Sequence, residues 1–203
     1  QIFAEIVDAS TVTVDAILKR AEDYVRKGAN VIDLGCLPDT PFPRLEEAVR
    51  ALKEKDYEVS VDSADADELL RGGKAGADFL LSLNEDTLHI ADKVKSTPVL
   101  IPKEHGDLPS LYRAMDALDK KGRAYLADPV LDPINFGSME SLERYAQVRR
   151  DRPKAEMLLG TGNLTELTDA DTTGITAMLL GIASELRIRN VLVVQVSPHT
   201  RRT

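Results

Sequence analysis

The chain of 203 residues contains a single cysteine, Cys36, and no tryptophan, and only 4% of its residues are aromatic. One cysteine excludes an intrachain disulfide and any cysteine-built metal cluster, and it suits a reducing cytoplasm, the expected location. Cys36 itself is expected to be a buried spacer. No apolar run approaches the roughly 20 residues that a membrane-spanning helix needs, and no basic segment leads into a signal-type apolar stretch. Basic charge is also short: 26 Lys and Arg against 34 Asp and Glu give a formal net charge of −8. Without a basic field to displace counterions, non-specific nucleic acid binding is excluded as an expectation. Three histidines, His89, His105 and His199, lack zinc-ligand spacing, so no resident metal is expected.

What is present is alternation. Hydrophobic residues make up 43% of the chain, enough for a substantial core in one domain over 1–203. Eight short apolar or β-branched runs, at 2–7, 30–35, 57–62, 78–84, 97–102, 123–128, 155–160 and 190–196, predict parallel strands covered on both faces. Amphipathic helices are predicted between them at 14–27, 43–55, 65–76 and 138–151, where apolar residues recur at three and four spacing. In "RKGANVIDLG" and "GKAGADFLLS" a glycine ends a helix just before a strand. This order predicts an α/β fold, a (β/α)8 TIM barrel without its last helix, in preference to an open doubly wound sheet. The abrupt ends, "QIFAEIV" and "SPHTRRT", suggest a fragment of a longer chain.

Active sites of such barrels sit at the carboxyl ends of the strands, so the polar residues there carry the functional information. Asp8 follows the first strand; Asp33 and Cys36 close the second, Asp62 and Ser63 the third, and Asn84 the fourth. Asp128 ends the sixth, Asn163 follows the seventh, and Gln195 and His199 lie at and after the eighth. Carboxylates at a barrel mouth cost desolvation energy unless hydrogen-bond donors meet them. Asp62, Asn84, Asp128 and Asn163 together suit a flat heterocycle with an amidine- or guanidine-like edge. The alternative is that each such Asp or Asn caps the next helix, which "VDSADADELL" and "LNEDTLHIAD" both permit.

The segment "LLGTGNLTELTDADTTG" (158–174) opens like a phosphate-binding turn, but no Gly-Lys-Ser/Thr follows, and it lacks a calcium-loop glutamate. Its glycines read as a tight exit from the seventh strand that lets Asn163 approach a flat ring. Thr165 or Thr168 is expected to cap the next helix, with Glu166, Asp169 and Asp171 near its start.

The run "GANVIDLGCLPDTP" followed by "YEVSVDSADADELLRGGKAGADFLLSLNED", then "YLADPVLDP" and "LLGTGNLTEL", resembles the pterin-binding barrels. That superfamily includes dihydropteroate synthase and the methyltetrahydrofolate:corrinoid methyltransferases. The tail "GNLTELTDADTTG" with "VSPHTRR" looks most like the dihydropteroate synthase-like proteins of archaea and methylotrophic bacteria. The resemblance implies that Asp62 holds the pterin ring edge, Asn84 the ring nitrogens and oxygen, and Asp128 the 2-amino group and N3–H. It places Asn163 near N5, and His199, Arg201 and Arg202 where synthases carry basic groups for the anionic leaving group. Asn163, Asp128 and His199 are thus the expected catalytic residues. Substrate contacts are expected from Asp62, Asn84, Asp128, Asn163, Asp33, Gln195 and Arg201.

The implied reaction couples a dihydropterin pyrophosphate to an arylamine in folate or methanopterin biosynthesis. Pterin is then substrate or ligand, no cofactor is tightly bound, and Mg2+ would accompany a pyrophosphate. A homodimer is admitted as the assembly. The synthase patterns D-S-F-S-D-G-G, G-E-S-T-R-P-G and S-R-K are replaced here by "VDASTVTVDA", "GCLPDTPFPR" and "GNLTEL". A methyltransferase-like protein and a non-catalytic pterin-binding module therefore remain as alternatives, and whether the chain is an enzyme is left open.

Overall fold

The structure, a computed structural model, describes residues 1–200. Two compact units divide the chain, Gln1–Val99 and the part from Leu100 onward.

In the first unit β1 (Ile2–Ile6), β2 (Val31–Gly35), β3 (Glu58–Asp62) and β4 (Phe79–Leu83) pair in parallel, each beside its predecessor. The register aligns Glu5 with Asp33 and Asp33 with Ser60, and it sets Gly35 opposite Asp62. All five residues of β2 are buried, as expected of a strand covered on both faces. The connecting helices are α1 (Val14–Arg26), α2 (Leu45–Lys53) and α3 (Ala66–Ala75). Thr13 starts α1 by accepting from the Ala16 N–H, and Asp65 starts α3 by accepting from Asp67 and Glu68. Gly76, at φ +109°, ends α3 in the left-handed conformation that glycine adopts without a Cβ penalty. A Cβ on Gly72 would lie 2.8 Å from Val61, so this glycine lets α3 press directly on β3. Phe3 and Phe79 meet edge to face, ring centroids 4.9 Å apart, within a core that includes Leu34, Leu52 and Leu69.

The connection from β4 to β5 (Thr97–Leu100) is a 3₁₀ turn, Leu88–Asp92, where the alternation predicted a helix. Its apolar residues Leu88, Ile90, Ala91 and Val94 crowd into too few positions to build a helical stripe of several turns.

In the second unit come α4 (Leu108–Lys120), β6 (Leu126–Ala127), α5 (Ser138–Asp151), β7 (Leu158–Gly160), the short α6 (Gly162–Thr165), α7 (Thr172–Glu185) and β8 (Asn190–Val193). Strands β7 and β8 pair in parallel, and a single bridge joins Ala127 to Met157. All eight predicted strands are present, so the element order is that of a (β/α)8 chain. Among the described residues no helix is long and apolar enough to cross a membrane.

Candidate functional site

Three neighbouring strands in the first unit assemble an acidic group. Asp33, in the middle of β2, is fully buried; its Oδ1 accepts from the Ser60 hydroxyl, while its Oδ2 has no hydrogen-bond partner among the described residues. One carboxylate oxygen each from Glu5, Asp33 and Asp62 lies within 4.8 Å of the others. Burial pushes the Asp33 carboxyl well above the usual range, the neighbouring charges of Asp62 and Glu5 push the same way, and Ser60 opposes them. Gly35 makes room for this grouping: a Cβ there would sit 2.7 Å from Glu5 Oε1 and 2.9 Å from Val7 Cα.

Asp62 does not cap the helix that follows it, because Asp65 takes that place. Asn84 does serve its own loop: Oδ1 accepts from the N–H of Asp86 at 3.0 Å and of Thr87 at 3.3 Å. Asp8 pairs with Arg20 on α1. Cys36 is half-buried rather than buried, since it opens onto a cleft of ≈ 600 Å³ lined also by Ser63, Asp65, Glu68 and Arg71. Burial, reinforced by Glu68, pushes its thiol up, which keeps it protonated and unreactive at neutral pH.

In the second unit Asp128 immediately follows β6. Part of its surface is accessible, yet protein surrounds it densely, and this burial pushes its carboxyl up to about 6 against the opposing Tyr145 and Val130 bonds. Its Oδ1 accepts from the Tyr145 hydroxyl and from the Val130 N–H at 2.8 Å. Val130 stands at φ +66°, a conformation a β-branched residue seldom adopts. Tyr145, on α5, is fully buried.

The loops after β5 and β6 also bring Asp132 to Arg144 at 2.6 Å and to His105 at 2.9 Å. Burial would raise the Asp132 carboxyl, and the Arg144 and His105 hydrogen bonds reverse this to hold it below its ordinary value.

Beyond β7, Asn163 lies in α6 and its side-chain amide donates to the Leu131 carbonyl at 2.6 Å. His199 is partly buried, with Nε2 3.1 Å from the Thr165 carbonyl. Gln195 reaches the Thr200 carbonyl at 3.4 Å, and Arg201 lies outside the described residues. The carboxylate at the start of α7 is Asp171, which accepts from Gly174; Thr165 and Thr168 are not its caps, because the helix begins only at Thr172. Glu166 instead clasps the segment after β8, accepting from the N–H groups of Val196 at 2.8 Å and Ser197 at 2.9 Å and from the Thr200 hydroxyl at 2.8 Å. Burial alone would raise Glu166, but these donors lower it.

Within the first unit the structure therefore groups Asp33 with Asp62, and it turns the Asn84 oxygen into its own loop. Within the second, Asp128 and Asn163 are anchored by separate partners, Tyr145 and Leu131. Sequence reasoning missed Glu5, which lies inside a strand rather than after one; its signal is a charged residue in the apolar run "IFAEIV". It also missed Tyr145, whose helical spacing is that of any core residue.

No family model matches the chain. An uncharacterized protein of Methanocaldococcus jannaschii is 28% identical over 92% of this chain, which spans only 39% of that protein's length. Among solved structures, a dihydropteroate synthase of Yersinia pestis with a pterine-sulfa conjugate superposes with a TM-score of 0.71 at 18% identity, over 98% of this chain and 89% of that one. The Anaplasma phagocytophilum enzyme with bound 6-hydroxymethylpterin-monophosphate gives 0.68 at 19% identity, over 96% and 92%. The Xanthomonas albilineans enzyme gives 0.70 at 19% identity, over 96% and 86%. The likeness establishes the fold, the α/β TIM barrel of the dihydropteroate synthases.

Proposed function

We propose that this barrel binds a pterin through Asp128 and works as a dihydropteroate synthase-like transferase, joining a dihydropterin pyrophosphate to an arylamine in folate or methanopterin biosynthesis. The observation that carries the reading is the setting of Asp128: a densely enclosed carboxylate at a strand's carboxyl end, with both hydrogen bonds on Oδ1. Its Oδ2 is then the oxygen that accepts from a ligand N–H, and the 2-amino and N3–H edge of a pterin supplies two adjacent donors. Such a ligand donates to the charged form and compensates the desolvation that raises the carboxyl. The solved structure holding 6-hydroxymethylpterin-monophosphate shares this fold, which supports the choice of ligand. Asp62, Asn84, Asn163, Asp33, Gln195, His199 and Arg201 carry their roles from the sequence resemblance. Mg2+ enters with the pyrophosphate substrate.

A second reading, a pterin-binding module with little turnover, is favoured by one feature. His199, the expected group for the departing anion, is turned to the Thr165 carbonyl and its own carbonyl accepts from Thr172 at 2.7 Å, so it serves the packing of α6 and α7. Incubation with 6-hydroxymethyl-7,8-dihydropterin pyrophosphate and 4-aminobenzoate separates the two. Release of pyrophosphate with formation of a dihydropteroate-type product supports the synthase, and pterin binding without product supports the module.

A further inference from the structure

A fully buried carboxylate oxygen without a donor is unusual, because leaving such an acceptor unsatisfied costs on the order of 1–3 kcal/mol. Asp33 Oδ2 has none among the described residues, and it belongs to a side chain turned into the group formed with Glu5 and Asp62. Three strands deliver these residues independently, since the β1–β2–β3 register sets Glu5 beside Asp33 and brings Asp62 opposite Gly35. The absent side chain at Gly35 is what allows the Glu5 carboxylate to lie here, with 2.7 Å between Oε1 and the place of a Cβ.

We propose that Glu5, Asp33 and Asp62 form a binding site for one hard divalent cation. Carboxylate oxygens are the ligands such ions select, and neutral nitrogen or sulfur donors are absent from the set. Oxygens bound to one cation at about 2.0–2.6 Å are at most about 4–5 Å apart, so a mutual spacing within 4.8 Å is compatible with all three residues sharing one ion. A double positive charge would satisfy the Asp33 oxygen and relieve the repulsion among three carboxylates held in a poorly solvated place. The competing account is a proton shared among the acids, which neutralises one charge and needs no metal.

Asp33 and Asp62 also carry pterin roles in the proposed function, so the cation site is tested on the pterin-free chain with metal alone. Mn2+ titrated into the protein near neutral pH and followed by electron paramagnetic resonance should show one bound ion per chain, displaced by Ca2+. Glu5→Gln should weaken this binding at least tenfold and Asp33→Asn should abolish it, each in a sample whose circular dichroism matches the parent. Asp128→Asn, in the other unit, should leave Mn2+ affinity unchanged whether or not it affects pterins. Absence of Mn2+ and Ca2+ binding to the folded parent chain would overturn the proposal in favour of the shared proton, as would binding that survives both substitutions. If Asp33→Asn fails to fold, Glu5→Gln alone decides, because Glu5 is only partly buried and its side chain keeps its shape.

Discussion

The hydroxyl of Tyr145 donates to Oδ1 of Asp128 from a fully buried ring, tying helix α5 to the residue that ends β6. The bond stabilises the charged carboxylate, so it opposes the burial that lifts Asp128 to about 6. Tyr145→Phe should therefore raise the Asp128 titration further, read by carbon NMR of the labelled carboxyl. The stability loss should be about 1–2 kcal/mol, the worth of a charge-assisted bond with the ring left in place. An unmoved titration would show that the two groups are not coupled.

The pH dependence of stability follows from the same carboxyl. Its value in the folded chain, about 6, exceeds the ordinary value near 4, so the folded state holds the proton over that interval and the unfolded state does not. This group's contribution is complete below about pH 4 and is lost as pH rises to about 6. Asp128→Asn should remove that slope, making the variant gain stability over the parent above pH 6 while matching it in acid, as measured by urea unfolding across pH. A constant difference between the two proteins across the range would contradict the assignment.

Glu166 has the opposite sign. Its folded value is depressed by the Val196, Ser197 and Thr200 donors, so its stabilisation is present above the ordinary carboxylate value and disappears as pH falls through the folded one. Glu166→Ala should cost about 1–3 kcal/mol through the donors left behind. Amide exchange at Val196 and Ser197 should quicken far more than in α4.

Arg144 and His105 share Asp132 but not its surroundings. Arg144 is 11% exposed at the side chain and His105 68%, while Asp132 is 7%. Removing the buried partner strands a buried carboxylate, so Arg144→Leu should cost about 3–5 kcal/mol. His105→Gln should cost less than about 1 kcal/mol, as for an exposed pair. Equal losses in thermal or urea unfolding would mean that His105 does more than its exposure suggests.

The fold was legible in the sequence because strand and helix alternate with different periods, and glycines such as Gly76 mark the joins. The β4–β5 connection was not, since Leu88, Ile90 and Ala91 look like the start of a helix until the available length is counted. Of the candidate site, the sequence singles out only residues that end or follow a strand, as Asp62, Asn84 and Asp128 do. Glu5 and Ser60, inside β1 and β3, become neighbours of Asp33 only through parallel register, which no local pattern records. Tyr145 reaches Asp128 from 17 residues away, on a helix whose apolar stripe gives no sign of a hydroxyl with a carboxylate to serve.

The central claim is that Asp128 receives a pterin. Calorimetric titration of 6-hydroxymethylpterin into the folded chain at pH 7 should show one site per chain, and Asp128→Ala should abolish the heat while Glu166→Gln retains it. Failure of well-folded parent protein to bind the pterin, or undiminished binding by Asp128→Ala, would contradict the account.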